Sequence, residues 1–127
     1  VAGRISSVSG SSSVVLGGVV SYANAVKRDV LGVPQEVLDS VGAVSAECAQ
    51  AMALGVRERL KADVAVSVTG IAGPDGGTPA KPVGLVYFGV ATPGATCSEP
   101  CRFSGDRDAV RQQAVNRALE LLAAAVG

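Results

Sequence analysis

Apolar positions along the chain fall into short unbroken runs, separated by stretches in which they return every three or four residues. Val14 to Tyr22 is the first run, interrupted by Gly17 and Gly18, and it predicts a buried strand. Ser9 to Ser13 ahead of it reads as a loop, and Val1 to Val8 as the tail of an element already under way. Asn24 to Leu31 predicts a short helix stopped by Gly32, and Pro34 suits the first position of a second helix, Pro34 to Val41. Ser45 then caps a longer helix to about Lys61, with Ala49, Met52, Ala53, Val56 and Leu60 on one face. Val64 to Val68 predicts another strand and Val83 to Ala91 a third. Pro93-Gly94 turns the latter back into Cys97 to Phe103, a hairpin. Ser104-Gly105-Asp106-Arg107 opens a terminal helix whose buried stripe is Val110, Ala114, Ala118, Leu121, Leu122 and Ala125.

Helical crossovers beside a terminal hairpin predict an α/β fold, a three-layer α/β/α sandwich with a mixed β-sheet. No repeat or linker divides the 127 residues, which suit one domain. Composition then specifies its interior. With 48% hydrophobic and only 3% aromatic residues, the core must be close-packed Val, Ala and Leu. Eleven basic residues balance eleven acidic ones, which argues against a broad nucleic-acid surface and leaves only a local patch open. No run approaches the roughly 18 apolar residues of a membrane span, and no charged-then-apolar signal pattern follows Val1.

The absence of histidine removes the commonest general base and the commonest metal ligand together. Any catalysis must use other groups, and no cofactor is expected. Cys48, Cys97 and Cys101 are odd in number and form no Cys-x-x-Cys pair, so the reading is a reduced, cytoplasmic protein. Cys97 and Cys101 could join only if the chain turns at Pro100.

Candidate chemistry gathers in three places. The first is Ser67-Val68-Thr69-Gly70-Ile71-Ala72-Gly73-Pro74-Asp75-Gly76-Gly77, a glycine-dense loop leaving the C-terminal end of a strand. Such a loop can bring main-chain N–H groups against a carboxylate or phosphate, although an ordinary turn has the same composition. It is no Walker loop, lacking Gly-Lys-Ser/Thr, and Pro74 and Pro79 keep it from opening a helix as the dinucleotide fingerprint does. The second place joins Tyr22, at the end of the first expected strand, to Lys27 five residues on. A partly buried lysine can act as a general base and a tyrosine hydroxyl can relay its proton. The alternative is a solvated lysine beside a core tyrosine. Asn24 between them can orient a polar ligand or simply form the turn. The third is Arg107, in the first turn of the last helix, which can grip an anion with the free helical N–H groups or pair with Asp106 or Asp108. Lys81, after the glycine-rich loop, reads as an exposed loop lysine.

Four segments in order resemble the C-terminal domain of the competence/damage-inducible protein CinA and its stand-alone nicotinamide mononucleotide deamidase relative, PncC. They are Gly10-Ser11-Ser12 with Gly18 to Lys27; Gly42-Ala43-Val44-Ser45; Val68 to Gly77 through Lys81-Pro82-Val83-Gly84; and Phe103 to Arg107. The resemblance implies an α/β/α homodimer that hydrolyses the carboxamide of nicotinamide mononucleotide to the acid and ammonia, without metal, by a serine nucleophile working with a lysine and a tyrosine. Tyr22 and Lys27 match the family's Tyr-x-x-x-x-Lys element. Thr69, Gly70, Ile71, Ala72 and Gly73 match its ligand loop, and Arg107 the arginine of its Ser-Gly-Asp-Arg element. The family's nucleophile lies in a Glu-Ser-Cys-Thr-Gly-Gly-like segment just ahead of position 1. The expectation is thus a domain seen without its N-terminal strand, helix start and nucleophile. Ser11, Ser12 and Ser13 align with the Gly-Ser-Ser loop and do not replace it, while Ser9 and Ala25 depart from the usual proline and glutamate. The rival expectation is a non-catalytic nucleotide-binding or competence/damage-related interaction module that keeps the pocket without the nucleophile.

Overall fold

The computed structural model describes residues 1–7 and 9–126; Val8, which closes the expected opening segment, and Gly127 lie outside the described residues. Five helices and three strands follow in the order α1 (Ala2–Ser6), α2 (Asn24–Asp29), α3 (Gln35–Ser40), α4 (Ala46–Leu60), β1 (Ala65–Gly70), β2 (Leu85–Thr92), β3 (Ala95–Arg102) and α5 (Arg107–Val126). A 3-10 turn, Ser11–Ser13, follows α1.

Alternation in the strands builds the three layers. On one sheet face the Ser67 hydroxyl donates to the Ala49 carbonyl of α4 at 2.6 Å, and Gly89 of β2 brings its bare backbone against the same carbonyl. On the other face Val66, Val68, Val86 and Phe88 pack with Val110, Ala114 and Ala118 of α5. Phe88, fully buried, meets Phe103 edge to face at 6.2 Å, an aromatic anchor in a core otherwise built of small aliphatics. A second core lies outside α4, where Leu31, Val33 and Leu38 cover Cys48 and Met52. Helix α4 is therefore buried on two sides. That is why Cys48 and Gly55 are buried beside the expected Ala49, Met52 and Ala53, while Leu60 emerges at the surface.

Local signals explain the boundaries. The Ser45 hydroxyl accepts from the Cys48 amide at 3.2 Å, the N-cap the sequence announces, and Lys61 closes α4 in the left-handed region at φ 53°. Pro34 serves α3 as its extended N-cap and not its first helical residue, and Gly42, at φ 80°, takes the chain out of it. Pro93-Gly94 forms the two-residue hairpin turn with Thr92 facing Ala95.

The strand expected over Val14 to Tyr22 is not formed. Residues 15–22 carry no ladder, and Val14, Leu16, Val20 and Tyr22 are exposed, Val20 at 91%. A strand needs a partner for its N–H and C=O groups, and β1, in the order β1-β2-β3, pairs only with β2. All described strands are antiparallel, so the parallel member of a mixed sheet is not found among the described residues. No described helix is long and apolar enough to cross a membrane.

Candidate active site

Helix α2 is short, yet it carries the most unusual side chain of the protein. Lys27 is only 6% exposed. Its ammonium donates to the carbonyls of Ser21 at 2.5 Å and Tyr22 at 3.2 Å, so it closes the turn into its own helix. Burial pulls its pKa below the ordinary lysine value, against a smaller opposing pull from Cys48. Tyr22 meets this amine through its backbone alone. Its ring is 87% exposed, because the strand that would have tucked it inward is missing, and the expected phenol–amine pair is not formed. Asn24 opens α2 at the surface beside them.

The glycine-rich loop, 71–84, is suspended from three points. At its entry the Thr69 hydroxyl, buried, donates to the Ala43 carbonyl at 2.8 Å in the connection between α3 and α4. In its middle Arg107 Nη1 donates to the Gly73 carbonyl at 2.9 Å. At its exit the Lys81 ammonium donates to the Val41 carbonyl, two residues from Ala43. Ile71 and Gly84 pin the two arms together, Gly84 donating to the Ile71 carbonyl at 2.8 Å and Ile71 to the Leu85 carbonyl at 2.9 Å. The glycines serve packing as much as approach. A Cβ on Gly73 would lie 2.5 Å from Val83, on Gly77 2.8 Å from it, and on Gly70 2.7 Å from Val86, whereas one on Gly76 would make only ordinary contact with Ile71 at 3.8 Å.

Thr69, Gly70, Ile71, Ala72, Gly73 and Arg107 are thus brought into one region. Between loop and helix lies a cleft of about 550 Å³ lined by Ala72, Pro74, Val83, Arg107 and the two carboxylates Asp106 and Asp108. The Asp106 carboxylate is occupied, accepting from the Ala109 amide at 2.9 Å as it caps α5. Arginine has five N–H donors, so the bond to Gly73 leaves most of them unused by it at the edge of this cleft.

Lys81 is what sequence reasoning missed. It is half-buried, not an exposed loop lysine, and with Ser45, Val44, Glu47 and Tyr87 it lines a second cleft of about 350 Å³ at the start of α4. Beneath lies Cys48, whose thiol burial pushes up, while the charges of both Lys27 and Lys81 pull it down. Both lysines therefore bear on the start of α4. Only the position of Lys81 just after the glycine-rich loop hinted at this.

A family model described as the CinA C-terminal domain matches residues 1–126. The chain belongs to that family. Within it, a CinA-like protein of Citrifermentans bemidjiense is 51% identical over 122 residues, and one of Anaeromyxobacter dehalogenans 52% over 122. Each alignment covers 96% of this chain and 30% of the relative, so the chain spans under a third of those curated proteins. Among solved structures, the competence/damage inducible protein CihA from Agrobacterium tumefaciens superposes with a TM-score of 0.96 at 44% identity. That comparison covers 99% of this chain and 78% of the other. The competence damage-inducible protein A of Klebsiella pneumoniae gives 0.91 at 36% identity, covering 95% and 75%. The CinA fold is therefore shared over the region that carries Lys27, the glycine-rich loop and Arg107.

Proposed function

We propose that this CinA domain is the amide-hydrolysing module of a nicotinamide-nucleotide amidohydrolase, converting nicotinamide mononucleotide to nicotinate mononucleotide and ammonia. The observation that carries the reading is the buried Lys27, whose neutral form is favoured by desolvation. In the reaction, a serine hydroxyl attacks the carboxamide carbon and Lys27 takes its proton. The amine returns it to the departing ammonia, and water then hydrolyses the acyl-enzyme by the same route. That serine belongs to the segment the family resemblance sets ahead of position 1. Tyr22 stands in solvent beside the amine, and its assistance rests on the Tyr-x-x-x-x-Lys element alone. Loop residues Thr69 to Gly73 hold the nucleotide, Asn24 borders the site, and Arg107 grips the anionic phosphate. A homodimer in the cytoplasm completes the proposal, supported by three free cysteines for the compartment and by the family pattern for the assembly.

The test is incubation of the complete gene product with nicotinamide mononucleotide, following ammonia and nicotinate mononucleotide together. Equal release of both is expected. Absence of both, from folded protein that still binds the nucleotide, would leave the non-catalytic binding module as the reading. Arg107→Ala removes a charge-assisted contact, so KM is expected to rise about tenfold or more with kcat little changed.

A further inference from the structure

Both ends of the glycine-rich loop hang from one short connection. Thr69, at the entry, bonds to the Ala43 carbonyl, and Lys81, at the exit, to the Val41 carbonyl. Between those carbonyls stands Gly42 at φ 80°, where a Cβ would lie 3.4 Å from the Lys81 ammonium. Lys81 also closes the turn at its own end. The Thr78 amide donates to the Lys81 carbonyl at 2.9 Å, and the Lys81 amide to the Thr78 hydroxyl at 3.0 Å.

We infer that Lys81 is a positioning residue, a strap that fixes the exit of the glycine-rich loop to the α3–α4 connection and so presets the face on which the nucleotide is held. The inference rests on the amidohydrolase reading for what the loop holds, and on geometry for how it is held. Cutting the strap leaves Lys27 on α2 and Arg107 on α5 in place, so the loss falls on ground-state binding and not on proton transfer. Preorganisation is the quantity at stake: a slack loop must be ordered by the ligand at each binding event.

Lys81→Met in the complete gene product is expected to raise KM about tenfold while kcat stays within about twofold, and Lys81→Arg, which can reach the same carbonyl, to recover most of the loss. Hydrogen–deuterium exchange of the free protein supplies the second arm. Amides from Gly76 to Gly84, Thr78 foremost, are expected to exchange at least about tenfold faster in Lys81→Met, while β1 and α4 keep their protection. A fall in kcat at constant KM would overturn the inference by making Lys81 part of the chemistry, and unchanged exchange would overturn it by showing that the strap holds nothing. Should the unaltered protein release no ammonia, the amidohydrolase reading falls, and the exchange result alone then decides whether Lys81 fixes the loop.

Discussion

Lys27→Met in the complete gene product is expected to lower kcat by about 10²- to 10⁴-fold with the fold intact, the usual share of a general base. Methionine keeps the length and apolar contacts of the buried stem and removes only the ionisable end. The pH profile separates a base from a structural amine. Because burial holds the Lys27 pKa below the ordinary value of 10.5, kcat/KM should climb with pH to a plateau entered before that value. Stability carries the same signature. The fold penalises the charged amine, so across the interval from the folded pKa up to the unfolded one the unfolded chain binds more protons. Stability rises with pH over that interval and is least below it. Urea midpoints of Lys27→Met should show a flatter pH dependence there. A parallel curve would mean that the lysine is not shielded as described.

Gly55→Ala should be strongly destabilising. By helix propensity it ought to stabilise α4 by about 1 kcal/mol. Its Cβ, however, would run into the carbonyl of Leu31 and sit 2.9 Å from that residue's carbonyl carbon, backbone that has no rotamer to yield with. Leu31 belongs to the core outside α4, so the helix would have to retreat from Val33 and Leu38 as well. A net loss of about 3 kcal/mol follows from overpacking of this kind, on the order of 10 °C in Tm. Gly3→Ala is the matched control, since nothing lies within 4 Å of its Cβ in helix α1. It should be neutral or slightly stabilising. Thermal melts of the two variants, with opposite signs expected, check the crossing of α4 over the Leu31 backbone directly.

Where a signal was local, it could be read from the chain. The Ser45 cap and the Pro93-Gly94 hairpin each involve neighbours within a turn or two, and both are formed; the stripe of the last helix is buried at Val110, Ala114 and Ala118 but only half-buried at Leu121, Leu122 and Ala125. Val14 to Tyr22 reads as a strand and does not form one, because apolar, branched composition reports what a strand would look like, not whether a partner edge exists to receive it. Tyr22 and Lys27 were paired on that same assumption. The contact between them runs through the Tyr22 carbonyl. Lys81 was illegible for a different reason. Its partner, Val41, lies 40 residues away, and no periodicity records which carbonyl a long flexible side chain will find. The loop glycines fall between these cases: their clustering was plain, yet their use against Val83 and Val86 depends on how β2 is approached.

The chain has no tryptophan and two tyrosines, and each tyrosine stands beside a lysine described above. Tyr22 is in solvent next to Lys27, and Tyr87 lines the cleft that Lys81 borders. Excited at the tyrosine band, the protein carries a two-site probe without a label. Emission accessible to iodide quenching belongs to Tyr22, and the shielded remainder to Tyr87. Movement at either end of the site can therefore be followed by ordinary fluorescence, with Tyr22→Phe and Tyr87→Phe separating the two reporters.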